Sequence, residues 1–138
     1  MRVILMGEIS KNLKIVILVN VLAALIYGIL QTFVTEAYLT MIEQPTPDVH
    51  FTRVGGGSLL VLAIFGIYAM LKKDWEDFKL LFEFVIGYEI MLFILDIVYF
   101  ATFTISATNF TNTLIATILT AVLIAVNIFF YLKEQKKE

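Results

Sequence analysis

Four long apolar runs, separated by shorter polar stretches, set the pattern of this chain: Ile15–Val34, Val54–Leu71, Leu80–Phe103 and Thr113–Leu132. Each is near the ~20 residues a helix needs to cross a hydrocarbon core of about 30 Å. Short connections favour antiparallel neighbours. The pattern therefore predicts an all-α integral membrane four-helix bundle, up-down-up-down, forming a single four-span transmembrane domain over residues 1–138.

The polar stretches carry their own expectations. Met1–Lys14 reads as a cytoplasmic lead-in, because the run that follows is too long for a secretory signal and lacks a small-residue cleavage site. Thr35–Arg53 is the longest connection, and Pro45 and Pro47 predict an extended turn within it. Gly55, Gly56 and Gly57 open the second span, where they loosen the helix start or let another backbone approach. Ala24 and Gly28, four apart, likewise permit a close neighbour. Lys72–Lys79 reads as a tight charged hairpin with Trp75 as an interfacial anchor, Thr104–Asn112 as an uncharged loop, and Lys133–Glu138 as a soluble tail.

Composition strengthens the membrane reading. The chain is 60% hydrophobic and 16% charged, with a mean hydropathy of +0.91. Soluble domains are closer to half apolar and a quarter charged, so lipid is the expected solvent. A net charge of −2 with no basic block excludes nucleic acid as a partner. The absence of cysteine excludes disulfides, thiol catalysis, iron–sulfur clusters and cysteine-ligated zinc. A single histidine, His50, excludes a bis-histidine haem within one chain, and no cofactor is expected. Nine of the ten basic residues fall on one side of the predicted spans, and Arg53 alone falls on the other. By the positive-inside rule both termini are expected in the cytoplasm and the chain in the cell membrane.

The third run stands apart because it carries Glu83, Glu89 and Asp96. Fifteen of its residues are Leu, Ile, Phe or Val, worth about −5 to −9 kcal/mol of insertion free energy in total. Two acids well inside it cost about +5 to +7 kcal/mol on the same scale. The sum is near zero, so this helix needs protein neighbours for its polar side. Seven residues turn an ideal helix through about 700°, which puts Glu89 and Asp96 on one face about 10 Å apart along the axis. Glu83 points roughly 120° away.

The candidate ligand- or ion-binding residues follow from this. Arg53, entering the second span, is the expected partner of Asp96, as an outer gate or as a static clamp between helices. Glu89 has no basic partner in any span. It is the candidate for binding a proton or cation near the midplane, or else a carboxylic acid hydrogen-bonded to Tyr27, Asn127 or an opposing carbonyl. Asn20 and Asn127 suit helix-to-helix hydrogen bonds, and Glu83 is expected to pair with Lys79 one turn earlier. His50, beside Asp48, lacks the ligand spacing of a metal site. Asn109-Phe-Thr111 matches a glycosylation acceptor but lies too close to the membrane for use. No nucleophile–base pair, phosphate loop or zinc signature is present, so no catalytic residue and no metal site is expected.

The segment His50-Phe-Thr-Arg53-Val-Gly-Gly-Gly57, running into an apolar helix, resembles the start of the second span in small prokaryotic four-span membrane proteins of unknown function. That resemblance implies a compact four-helix membrane protein and no assigned reaction. The leading functional expectation is a non-catalytic polytopic module, acting as a binding or accessory subunit or by self-association. Its partners are the lipid bilayer and a homo-oligomer or larger membrane complex. The alternative is a proton- or cation-coupled small-solute transporter, working as a homo-oligomer with Glu89 as its coupling acid.

Overall fold

A computed structural model of the chain describes residues 9–71 and 75–136. Its elements are α1 (Lys11–Phe33), α2 (Thr35–Met41), α3 (Val49–Leu71), α4 (Trp75–Thr102) and α5 (Ala107–Gln135), and the described residues contain no strand. The four long helices are each long and apolar enough to cross a membrane.

Every long helix starts four to six residues before its apolar run. α1 starts at Lys11, where the Ser10 side chain caps it by accepting from the Leu13 amide at 3.2 Å. α3 starts at Val49, capped by Asp48, whose carboxylate accepts from the Phe51 amide at 2.8 Å. α5 starts at Ala107, where Ser106 accepts from the Asn109 amide at 3.1 Å. Side-chain oxygens at these positions satisfy amides that a helix start leaves unpaired.

Several expectations are corrected as a result. Much of the 104–112 segment is helix, and the tail is helical through Gln135, with Glu134 buried. The 35–53 connection contains α2 and the first turn of α3, and only the stretch around Pro45 and Pro47 is irregular. The glycine triplet lies inside α3 and does not open it. Of the predicted charged hairpin, residues 75–79 are the first turns of α4, and 72–74 fall outside the described residues. Trp75 is 3% exposed, buried among Phe78, Phe82 and Tyr131 instead of facing headgroups.

The helices form two antiparallel pairs with different chemistry. α1 and α3 approach along their lengths through glycine. A Cβ on Gly28 would lie 2.9 Å from Leu60, and one on Gly56 would lie 2.5 Å from Thr32 Oγ1 and 2.8 Å from the Thr32 backbone nitrogen. Gly66 lies against Val21. Close backbone approach of this kind gives van der Waals attraction its full effect where lipid removes any hydrophobic drive. α4 and α5 form the other pair, held by polar side chains described below.

Between the pairs, helix backbones make fewer close approaches than within them, and side chains span the gap. A buried apolar cluster gathers Ile9, Leu13, Val16 and Ile17 with Trp75, Phe78 and Phe82. It sits at the end that also carries Lys11, Lys14, Lys79 and Lys133, here called the lysine end. The opposite end, closed by α2 and the proline turn, is the strap end.

The glycine seam makes a testable demand. Gly56→Ala must push backbone against backbone, and should cost about 1–3 kcal/mol. The expected result is a melting temperature lower by several degrees in detergent. Gly57→Ala, whose Cβ would meet nothing within 4 Å, should leave that temperature unchanged or slightly higher.

Candidate functional site

The three acids within the third apolar run, Glu83, Glu89 and Asp96, all reach α5. Asn127 Nδ2 donates to both Glu89 oxygens, at 3.0 and 2.8 Å. Thr117 Oγ1 donates to Asp96 at 2.8 Å. The Tyr131 hydroxyl donates to Glu83 in a short hydrogen bond. A fourth rung, from the Tyr99 hydroxyl to Asn109 Oδ1 at 2.8 Å, completes a ladder along the hairpin. Partner numbers fall on α4 as they rise on α5, as antiparallel neighbours require. Glu83 is turned away from Glu89, but the length of Tyr131 lets that rung close at the edge of the interface.

Asn127 is the centre of the ladder. It is fully buried, and Glu89 is 7% exposed. Asn20 Nδ2 donates to Asn127 Oδ1 at 2.9 Å, Asn127 Nδ2 returns a bond to Asn20 Oδ1 at 3.2 Å, and Asn20 also donates to the Val16 carbonyl at 3.0 Å. One side chain of α5 thus ties α1 to α4. Asn20, Asn127 and Glu89, chosen separately from the sequence as polar residues inside spans, come together in one cluster.

Arg53 and Asp96 do not form the expected pair. Arg53 Nε donates to Thr35 Oγ1 at 3.3 Å, and its guanidinium stands 3.9 Å from Glu36. α3 begins at Val49, so Arg53 lies a turn inside the helix and reaches the α1–α2 junction. Asp96, half-buried, takes the neutral Thr117 instead. Glu83 likewise bonds Tyr131 and not Lys79, which stands 3.8 Å from Glu76. His50 is exposed on the first turn of α3. Among the described residues no three Asp, Glu or His side chains come together in a way that could hold a metal ion.

Besides the rung partners Thr117 and Tyr131, which the sequence reading also missed, two residues at the strap end stand out. Tyr38 of α2 is inserted where burial pushes its phenol above the ordinary tyrosine value; the side chain of Gln31 opposes that shift, and Tyr27 and Asp96 add to it electrostatically. Tyr27 and Asp96 therefore share this region with Tyr38, and Glu89 bonds Asn127 and not Tyr27. The second is Asn109, read only as a glycosylation acceptor. It is fully buried, accepts from Tyr99, and donates from Nδ2 to the Ile42 carbonyl at 2.7 Å and towards Gln44 Oε1 at 3.5 Å. Its amide is committed on both sides, so it offers no nitrogen to a glycan. Next to it, Ser106 donates to Glu43 at 2.5 Å, and Glu43 holds a φ of 51°, a region that non-glycine residues seldom occupy. These bonds pin the strap to the start of α5. Ser58 and Tyr88, 3.0 Å apart, join α3 to α4.

Two open surface clefts lie elsewhere. One, of about 420 Å³, is at the strap and includes Glu36, Leu39 and Glu43 in its lining. The other, of about 330 Å³, is lined by Glu83, Ile86, Ile128, Tyr131 and Leu132. Neither is lined by Glu89 or Asp96. Comparison with protein-family models, with curated proteins and with solved structures finds no match to this chain.

The weight of the Asn127 node can be measured. Asn127→Ala leaves Glu89 without its amide donor and should cost about 1–3 kcal/mol in unfolding from mixed micelles. Asn20→Ala keeps the Glu89 bond and should cost less. A double-mutant cycle between Asn20→Ala and Asn127→Ala is expected to give a coupling of about 0.5–1.7 kcal/mol.

Proposed function

We propose that this chain is a non-catalytic polytopic membrane module, a binding or accessory subunit or a self-associating unit, with both termini on the cytoplasmic side of the cell membrane. One observation carries the reading: all three acids inside the apolar part of α4 are bonded to neutral partners on α5, as rungs of a hairpin. Acids used this way hold helices together in a solvent that cannot hydrogen-bond them. The orientation rests on the nine-to-one distribution of Lys and Arg; of the nine, Arg2, Lys72, Lys73 and Lys137 lie outside the described residues.

The second reading, a cation- or proton-coupled carrier working as a homo-oligomer, keeps one point in its favour. Among the described residues Glu89 receives hydrogen bonds from a single amide and from no cationic group. Such a group is suited to hold and release a small cation.

Thermal melting in detergent separates the two. A module is expected to melt at a lower temperature in Asp96→Asn, and to show no stabilisation by sodium, potassium or a panel of small solutes. A solute- or cation-dependent rise that disappears in Glu89→Gln while the fold persists would transfer the function to the carrier. Orientation has its own check, since the chain lacks cysteine. Thr46→Cys should react with an impermeant maleimide on intact cells, and Gln135→Cys should react only after permeabilisation.

A further inference from the structure

The groove between α4 and α5 at the lysine end combines features not used by the node at Glu89. Its walls are Ile86 of α4 with Ile128 and Leu132 of α5, and Glu83 and Tyr131 lie at its polar edge. On the same stretches of α4 and α5, Leu80, Phe84 and Phe129 are exposed, as on helices that face acyl chains. Glu83 nevertheless stands there exposed, about 5 Å inside the start of the apolar run at Leu80 on a rise of 1.5 Å per residue.

A carboxylate offers about four acceptor sites. Among the described residues, Tyr131 supplies one hydrogen bond to Glu83, and Gln135 Nε2 steadies that tyrosine by donating to its hydroxyl at 2.8 Å. The remaining acceptor capacity faces a groove with aliphatic walls. An occupant that satisfies both parts must carry a long apolar chain and, at headgroup depth, a cation with N–H donors.

We propose that this groove is a seat for an aminophospholipid. Its acyl chain lies along Ile86, Ile128 and Leu132, and its primary ammonium bonds the Glu83 carboxylate. Charge complementarity selects the headgroup: a primary ammonium donates charge-assisted hydrogen bonds, and a choline headgroup, with no N–H, cannot. Trp75, the single tryptophan, reports on the site, because its ring packs 5.7 Å from that of Tyr131.

The test is quenching of Trp75 fluorescence in vesicles of phosphatidylcholine doped with brominated phosphatidylethanolamine or with brominated phosphatidylcholine. The wild type should favour the ethanolamine lipid by about three- to tenfold, the scale of one net hydrogen bond. Glu83→Gln should abolish the preference. Glu76→Gln, an exposed acid outside the groove, should retain it. Ile128→Phe fills the groove with Glu83 intact and should also reduce the preference, which guards against a folding defect peculiar to the acid variant. Equal quenching by the two lipids in the wild type, or a preference retained in Glu83→Gln, would overturn the proposal. So would headgroup-independent quenching together with a dimer lost in Glu83→Gln, which assigns the groove to a second copy of the chain.

Discussion

A polar side chain inside a hydrocarbon layer has no water to turn to, and one residue answers that constraint for three helices. Asn127 sits at the crossing of α1, α4 and α5, giving hydrogen bonds to Glu89 and exchanging them with Asn20. Its Nδ2 has two hydrogens and three acceptor oxygens within reach, so the amide is shared and not assigned to one partner. Removing it would strand an acid, which is costlier than losing one favourable bond. The position of α4 therefore depends on α5 more than on its own apolar surface.

The two helix pairs use opposite means towards the same end. α1 and α3 discard side chains at Gly28, Gly56 and Gly66 and gain backbone proximity. α4 and α5 keep large side chains and meet through hydroxyl, amide and carboxyl groups. Between the pairs, the aromatic cluster around Trp75 closes the lysine end. The bonds of Ile42, Glu43 and Gln44 to Ser106 and Asn109 close the strap end. Asn20–Asn127 and Ser58–Tyr88 connect the pairs between these ends.

The existence of four long helices was plain from the apolar runs, but their ends were not. Hydropathy marks where lipid begins, whereas backbone hydrogen bonding continues into the headgroup layer until a cap such as Ser10, Asp48 or Ser106 intervenes. α2 was missed because Thr35–Met41 has no long apolar run and the nearby prolines dominated the reading. At the site, Asn127 was among the partners expected for Glu89, as a polar residue inside another span. Charge matching failed for Asp96, because a search for opposite charges passes over a threonine one helix away. The glycines were legible as close-approach positions, although Gly56 does its work in the helix interior.

The near-zero insertion sum for the third run, taken with the four rungs that α4 makes to α5, bears on how the chain enters a membrane. A segment that gains almost nothing by partitioning alone has little reason to leave the insertion machinery alone. Its acids find neutral partners only when the following helix has been synthesised, so the two segments are best released into lipid together, as a preformed hairpin. The first two spans, without carboxylates in their apolar runs, carry no such obligation and can enter one at a time. Biogenesis of this small protein thus divides where its chemistry does, between a half joined by glycines and a half joined by hydrogen bonds.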